Sequence, residues 1–322
     1  MAEGPPHLAL AIDDSAIPGV SRCMTSAASG APVATGSTLR PVFEQLRGPL
    51  RLLVTDQARL PEAMEWLGNY PDAKILVLAQ TIDEGMLSAA ARSKQILGFL
   101  AWRRVGVRPW ELSYVVRRAI APTQAAPSSA DLLLWGASTV TWHPRTSMDR
   151  DQTVRAVEVV AMRFGISNRL AATAADAAHE LLMNAMYDAP AHPNGTPRYA
   201  ADRQADIALE PREVPTLRLT VDSSHLSLDA TDPFGRLGRT HLFGGILRGR
   251  GGRGSRPDEV LDLSHGGAGL GLFNLFNSAA VLRAEVTPGA QTLVSWTLDR
   301  TVGQRDQRAL PRSLYFVQGS PS

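Results

Sequence analysis

The chain has 322 residues, of which 44% are hydrophobic and 20% charged, and its formal net charge is +2 at pH 7. This composition is typical of a globular protein, the length suffices for two domains, and so small a net charge gives no reason to expect binding to nucleic acid or to a membrane surface. Cys23 is the only cysteine, which excludes a disulfide framework or a cysteine-built zinc site within one chain.

The sequence shows no targeting or membrane segment. No apolar run approaches the roughly 18–20 residues that cross a bilayer. The start, MAEGPPHLALAIDDS, has no basic residues ahead of an apolar stretch, so we expect no signal peptide. We therefore expect a cytoplasmic protein.

The first 121 residues alternate short apolar runs with helical patterns, which favours a parallel sheet covered on both faces. Strands are predicted at Leu8–Ile12, Leu50–Thr55, Ile75–Ala79 and Ile96–Ala101, with a weaker candidate at Pro32–Thr35, and helices at Pro61–Leu67, Met86–Ser93 and Pro109–Ile120. The prediction for residues 1–121 is a doubly wound α/β domain. Residues 122–131, rich in alanine, proline and serine, are typical of a linker.

The following region has its helices grouped apart from its strands. Helices are predicted at Asp151–Phe164, Asn168–Asp188 and Leu270–Ser278, and strands at Leu217–Val221, His225–Ala230, Val281–Val286 and Thr292–Leu298. This order predicts an α+β sandwich over residues 132–300. Residues 301–322 are assigned to a C-terminal tail that contains one short apolar run, Leu314–Val317.

Three polar side chains follow one another at a spacing of four in the second predicted helix. Glu180, Asn184 and Asp188 would lie on nearly the same helical face. The opposite stripe is apolar and suited to packing on a sheet. The row presents a carboxylate, a carboxamide and a second carboxylate, either as a ligand-binding face or as an ordinary solvated one.

Two further motifs follow in the chain. Asp232-Pro-Phe-Gly235 ends a strand, where an aspartate can accept a hydrogen bond from an amine or simply form a turn; Asp229 is an alternative acceptor. The run Gly266-Gly-Ala-Gly-Leu-Gly-Leu272 leads into a helix. Glycines let backbone N–H groups approach an anion, and the helix N-terminus favours negative charge.

Together these motifs resemble the GHKL family of ATPases and kinases. His179–Ala185 is similar to the N-box, Asp232–Gly235 stands in the place of the G1 box, and Gly266–Leu272 is similar to the G2 box. Gln291-Thr292 stands where the family has a threonine near the adenine. The resemblance covers Leu132 to Leu298 and is nearest to the anti-sigma serine kinases, whose paired helices the segment 151–189 resembles. The G1 region departs from the family pattern because its one glycine, Gly235, is shifted.

The resemblance implies a Bergerat-type ATP-binding sandwich that uses ATP and Mg²⁺. It assigns Mg²⁺ coordination to Asn184, activation of the attacking hydroxyl or water to Glu180, and adenine recognition to Asp232 with support from Thr292. It also places further residues around the nucleotide: Asp188, Gly235, Gly266, Gly267, Gly269, Leu270 and Gly271.

Residues 236–265 occupy the place of the family's ATP lid and are rich in glycine and arginine. One interpretation is a mobile lid whose arginines Arg248, Arg250, Arg253 and Arg256 meet phosphates. The other is a solvated loop. A nucleic-acid patch is disfavoured because no aromatic residues alternate with the arginines.

The N-terminal domain resembles a response-regulator receiver. Asp13, Asp14 and Asp56 follow strands, where receivers hold Mg²⁺ and a phosphoacceptor. Trp102 stands where the family requires a lysine, so the resemblance implies a degenerate receiver that serves protein interaction or dimerisation. A working receiver and simple strand-end carboxylates are the alternatives.

The functional hypothesis is an ATP-binding signal-transduction protein, either a Mg²⁺-dependent protein kinase or an anti-sigma-like regulator, that acts on a partner protein. The alternative is a non-catalytic nucleotide-binding adaptor, and homodimerisation stays open. A histidine autokinase is not expected, because neither His143 nor His179 stands in a dimerisation helix ahead of the ATPase domain. A topoisomerase- or chaperone-like ATPase would need more chain after the last strand.

Overall fold

A computed structural model describes residues 5–13, 19–102, 104, 108–121, 128–133, 136–192, 194–251, 268–303, 306 and 309–319. The chain divides into two compact units. The first comprises residues 1–125 and 311–317, and the second comprises residues 126–310 and 318–322.

The first unit is built on a parallel sheet. Its elements are β1 (His7–Ala11), α1 (Val20–Ala27), β2 (Val33–Gly36), α2 (Leu39–Glu44), β3 (Leu50–Asp56), α3 (Leu60–Leu67), β4 (Lys74–Ala79), α4 (Glu84–Arg92), β5 (Ile96–Ala101), α5 (Pro109–Ile120) and, from the end of the chain, β11 (Ser313–Gln318). The strand order is β2-β1-β3-β4-β5-β11. The first five strands pair in parallel, and the antiparallel strand β11 pairs with β5.

Helices cover this sheet because its strands are apolar on both faces. Every residue of β1 and β5 is buried, which requires cover on each side. Helices α1 and α5 pack against one another. Helices α2 and α3 are joined by a stacked pair of rings, Phe43 and Trp66, with centroids 4.8 Å apart. The doubly wound fold predicted from the apolar runs is confirmed.

Strand β11 was not predicted, because the run Leu314–Val317 lay in a segment assigned to a tail. It pairs with β5 at Leu314↔Phe99 and Tyr315↔Gly98. Gly98 makes this approach feasible, since a Cβ at that position would lie 2.5 Å from the Tyr315 Cα. The Ala101 N–H donates to the buried Ser313 Oγ at 3.0 Å. A sixth strand, formed by residues 313–318, thus joins the five parallel strands.

The second unit combines a group of helices with an antiparallel sheet. Its elements are α6 (Ser129–Leu132), β6 (Ser138–Trp142), α7 (Ser147–Arg163), α8 (Asn168–Met183), a π-helical turn (Asn184–Asp188), β7 (Thr216–Val221), β8 (His225–Asp232), α9 (Arg239–Gly251), α10 (Ala268–Ser278), β9 (Val281–Thr287) and β10 (Gln291–Asp299). The sheet order is β9-β10-β8-β7-β6, with antiparallel pairing throughout.

Helix α7 starts at a capping box that fixes its first turn. The Asp149 N–H donates to Thr146 Oγ1 at 3.1 Å, and the Thr146 N–H donates to Asp149 Oδ2 at 3.0 Å. Helix α8 packs against α7 and β8. Its buried side chains are mostly alanines, which leave little side-chain bulk and so let α8 lie close to its neighbours. The predicted α+β sandwich is confirmed.

Helix α9 occupies the first part of the glycine- and arginine-rich stretch for which a mobile lid and a solvated loop were the two interpretations. Residues 239–251 are helical and pack against α10. Leu242, Phe243 and Ile246 are buried on one face. Each glycine in a helix interior costs about 1 kcal/mol relative to alanine, so the glycine content argued against a helix. Burial of this apolar face stabilises the helix nonetheless.

Candidate functional site

Glu180 and Asn184 lie at the place where helix α8 changes its geometry. The α-helix ends at Met183, and Asn184–Asp188 form a π turn that is closed by the Ala189 N–H donating to the Asn184 carbonyl at 2.9 Å. Single π turns within helices are frequent at functional sites. Because this turn spans five residues, Asp188 no longer stacks one α-turn beyond Asn184 as the predicted uninterrupted helix required.

The Asn184 side chain is partly buried, yet its amide nitrogen makes no hydrogen bond to the described part of the protein. Its Nδ2 atom is buried and finds no hydrogen-bond partner among the described residues. Buried amide nitrogens are nearly always partnered, so an unpartnered one indicates a group available to a ligand. The two ends of a carboxamide exchange by a simple flip, so either the oxygen or the nitrogen can face that ligand.

The Glu180 carboxylate lies directly against the first turn of α10. A Cβ built on Gly271 would contact Glu180 Oε2 and would lie 3.1 Å from its Cδ. An alanine at this position would therefore displace the carboxylate. The structure thus brings together the predicted base of the N-box and the last glycine of the glycine-rich run, which are 91 residues apart in the sequence.

Asp188 forms an ion pair with Arg203, which comes from the segment between the π turn and β7. Burial raises the pKa of Asp188 to about 6, the Arg203 charge opposes this rise, and the negative charge of Glu180 adds to it. Asp188 is thus close enough to Glu180 to be affected by its charge, but its own carboxylate is occupied by a cation of the chain.

Asp232 and Thr292 are cross-strand partners on β8 and β10. Asp232 is buried, and its Oδ1 accepts the Phe234 N–H at 2.9 Å. Burial raises the pKa of Asp232 to about 6 against the lowering effect of that amide. Thr292 Oγ1 is also buried, and it lies close enough to the Asp232 carboxylate for its hydroxyl to lower the pKa of that group. A carboxylate and a hydroxyl thus stand side by side on adjacent strands.

Asp229, the alternative acceptor, is fully used by the protein. Ser129 donates to it through its N–H at 2.6 Å and its hydroxyl at 2.5 Å, and Ser295 Oγ donates at 2.6 Å. Successive side chains of a strand point to opposite faces, so Asp229 and Asp232 face opposite sides of the sheet. Asp229 therefore belongs to a structural network with α6.

Gly235 lies in a turn packed against the hairpin between β9 and β10. Its φ is +62°, and a Cβ would lie 2.7 Å from the Gly289 nitrogen and 2.8 Å from the Ala290 nitrogen. Next to it, the Arg236 guanidinium donates to the carbonyls of Ala189 at 3.3 Å and Gly195 at 2.7 Å. These contacts tie the turn after β8 to the segment that follows the π turn.

An open cavity of about 530 Å³ lies beside Glu180. Its lining residues come from four segments of the second unit: Arg150, His179, Glu180, Met183, Arg203, Gln204, Leu270 and Gly271. Leu270 is 54% exposed there. Sequence reasoning missed Arg150, Arg203 and Gln204, because they belong to no motif and are brought to the cavity only by the packing of α7 and of the segment before β7.

Several predicted residues lie outside the described residues: Asp14, Arg253, Arg256, Gly266 and Gly267. Gly269 and Leu270 are in α10. Arg248 and Arg250 are in the last turn of α9 rather than in a loop. Within the described ranges, no three His, Cys, Asp or Glu side chains cluster in a way that could hold a metal ion.

Of the described carboxylates that the receiver resemblance singles out, Asp56 is bonded to Arg59 and Asp13 is exposed. Asp56 Oδ1 accepts the Arg59 N–H at 3.1 Å and caps the 3₁₀ helix Gln57–Arg59. The Arg59 guanidinium forms an ion pair with Asp56 Oδ2. A cation of the chain therefore occupies the carboxylate that the receiver resemblance assigns to a phosphoacceptor.

Comparison with known proteins gives little. No protein-family model and no curated protein matches the chain. Among solved structures, the crystal structure of the SiaB–SiaC complex from Pseudomonas aeruginosa contains a chain that is 13% identical, with 49% of this chain and 88% of that chain covered and a TM-score of 0.33. A likeness this distant implies nothing about function. Within the described part of the chain, every helix is too short or too polar to cross a bilayer.

Proposed function

We propose that this protein is a signal-transduction protein whose second unit binds ATP with Mg²⁺ and acts on a partner protein as a kinase. The observation that carries the proposal is the close approach of Glu180 and Gly271 at one cavity, one helical turn before an Asn184 amide nitrogen that has no partner among the described residues. A carboxylate beside a helix N-terminus, with a carboxamide one turn away, is a combination suited to phosphoryl transfer.

The residues present fit such a ligand. Asp232 would accept a hydrogen bond from the adenine amine, and the Thr292 hydroxyl beside it would bond to the same ring. Asn184 would hold Mg²⁺, which when bound neutralises phosphate charge through hard oxygen ligands. Glu180 would accept the proton of an attacking hydroxyl.

The role of the first unit follows from Asp56. Because the Arg59 guanidinium pairs with this carboxylate, phosphorylation there would have to break an ion pair and a helix cap. We propose that the first unit is a degenerate receiver that binds a partner signalling protein or a second copy of the chain.

The first test is a calorimetric titration of the whole protein with ATP in the presence and absence of Mg²⁺. We expect binding that Mg²⁺ strengthens, and an Asn184→Ala variant that loses this Mg²⁺ effect but keeps its thermal stability, since the amide nitrogen makes no bond to the described protein. A folded wild type with no affinity for adenine nucleotides refutes the proposal.

The second test separates a kinase from an adaptor. The protein is incubated with γ-labelled ATP, Mg²⁺ and candidate partners, and the wild type is compared with Glu180→Gln. Label transfer that this substitution abolishes while ATP binding persists supports a kinase. ATP binding without any turnover supports a nucleotide-controlled adaptor instead.

A further inference from the structure

The cavity beside Glu180 has two arginines in its lining, and they differ in how fully the protein uses them. Arg150 is bonded through all three of its nitrogens. Its Nε and Nη2 donate to Asp151 Oδ1 at 2.9 and 2.7 Å, and its Nη1 donates to Tyr187 Oη at 3.0 Å. Since every nitrogen of this guanidinium already has an acceptor, Arg150 contributes to the cavity wall as a structural cation.

Arg203 has donors to spare. Its Nη2 pairs with Asp188, while its buried Nε finds no acceptor among the described residues. A guanidinium carries five N–H donors in a rigid fork. An arginine held at one nitrogen by a carboxylate and bordering a cavity is therefore oriented to bind a second anion with the others.

The local charge balance supports the same conclusion. Glu180 and Asp188 carry two negative charges close enough to interact, and Arg203 pairs with Asp188. A polyphosphate beside Glu180 would add more negative charge. A cation of the chain at this position would offset part of that repulsion, in addition to the charge that Mg²⁺ would neutralise.

We infer that Arg203, positioned by Asp188, binds the polyphosphate of the nucleotide in the cavity beside Glu180. The inference rests on the proposed ATP-binding function. It assigns phosphate recognition to a residue outside every glycine-rich motif, in the segment that joins the π turn to β7. Asp188 is then a positioning residue and does not itself contact the nucleotide.

The experiment compares the affinities of the whole protein for ATP and for adenosine, which lacks the phosphates. Arg203→Met is the test variant. Arg198→Met is the matched control, because Arg198 pairs with Glu213 at 2.7 Å in the same segment and its side chain is as buried, 18% exposed against 19% for Arg203. Arg198 does not line the cavity.

We expect Arg203→Met to weaken ATP binding about ten- to a hundredfold, the loss of a charge-assisted hydrogen bond, and to leave adenosine binding within about twofold. Arg198→Met should lower thermal stability and change neither affinity. Arg203→Lys, which keeps the charge but loses the fork, should fall between wild type and Arg203→Met.

An equal loss of ATP and adenosine affinity in Arg203→Met, or no loss in either, overturns the inference and leaves the proposed function standing. A wild type that binds adenosine as tightly as ATP also overturns the inference, because the phosphates would then add nothing to the affinity. A wild type that binds neither ligand overturns the proposed function and the inference together. If Arg203→Met does not fold, Arg203→Gln replaces it, because glutamine can still bond to Asp188. The ratio of its ATP affinity to its adenosine affinity is then compared with that of the wild type.

Discussion

Gly271 and Glu180 meet where α10 begins and α8 ends, with no room for a side chain between them. A Cβ on Gly271 would lie 3.1 Å from the Glu180 Cδ and closer still to one carboxylate oxygen. The glycine at this position therefore allows the backbone of α10 to approach the carboxylate that we propose as the base.

We expect Gly271→Ala to displace Glu180 and to lower partner phosphorylation at least about tenfold, because a displacement of 1 Å at a reacting group has effects of that order. Its thermal stability should not rise. Labelled phosphate transfer and a thermal melt measure the two effects.

Gly244→Ala is the matched control in α9. A Cβ there would meet only the flexible end of Arg248, at 3.5 Å. Alanine in a helix stabilises by about 0.5–1 kcal/mol relative to glycine. Gly244→Ala should therefore melt higher than the wild type with unchanged activity, and identical behaviour of the two variants would contradict the assigned contact.

Adenine recognition by Asp232 predicts a pH dependence. Burial raises the pKa of this carboxyl to about 6, and protonation removes its negative charge and turns one of its two acceptor oxygens into a donor. Adenosine affinity of the wild type should therefore fall as the pH drops through 6. Asp232→Asn should bind adenosine more weakly at pH 8 and lose this pH dependence. Adenosine is the probe because burial also raises the pKa of Asp188 to about 6, and Asp188 positions Arg203 on the phosphates that adenosine lacks. Asp188→Asn is the control that should retain the pH dependence of adenosine binding.

The same carboxyl affects stability with a defined sign. Because its pKa is higher in the folded than in the unfolded protein, it favours folding below about pH 4, and this contribution is lost as the pH rises through 6. Relative to wild type, Asp232→Asn should gain stability between pH 4 and 8, by at most about 3 kcal/mol. Denaturant unfolding at both pH values measures the difference, and a loss at pH 8 would show that the hydrogen bonds accepted by the carboxylate outweigh the cost of burying its charge.

Substitution of Asp229 should have the opposite effect on stability from substitution of Asp232. Its carboxylate accepts three hydrogen bonds from Ser129 and Ser295, and an amide cannot accept all of them. We expect Asp229→Asn to lower the free energy of unfolding by about 3 kcal/mol at pH 8. Its ATP affinity, measured where the variant is folded, should match that of the wild type. A selective loss of adenine binding would assign recognition to Asp229 instead.

The first unit should not accept a phosphoryl group at Asp56, because the Arg59 guanidinium holds that carboxylate. Incubation with acetyl phosphate and Mg²⁺ followed by intact-mass measurement should show no added phosphoryl group. The comparison is Arg59→Ala, which frees the carboxylate. Phosphorylation of the wild type that Asp56→Asn abolishes would establish a working receiver.

The sequence by itself determined features that depend on near neighbours. Helical geometry places Glu180 and Asn184 on one face, because a turn of about 3.6 residues brings residues four apart together. Alternation along β8 separates Asp229 from Asp232. The apolar runs of β1, β3, β4 and β5 require cover on both faces, which decides the doubly wound fold of the first unit.

Only the tertiary structure decided which partners these residues meet. The ion pair between Asp188 and Arg203, the contact of Gly271 with Glu180, the helical state of α9 and the pairing of β11 with β5 all join segments distant in the sequence or depend on their packing. The reason is physical: local periodicity is set by backbone geometry, whereas such contacts form where burial outweighs the cost of ordering two segments, and that balance depends on everything packed around them.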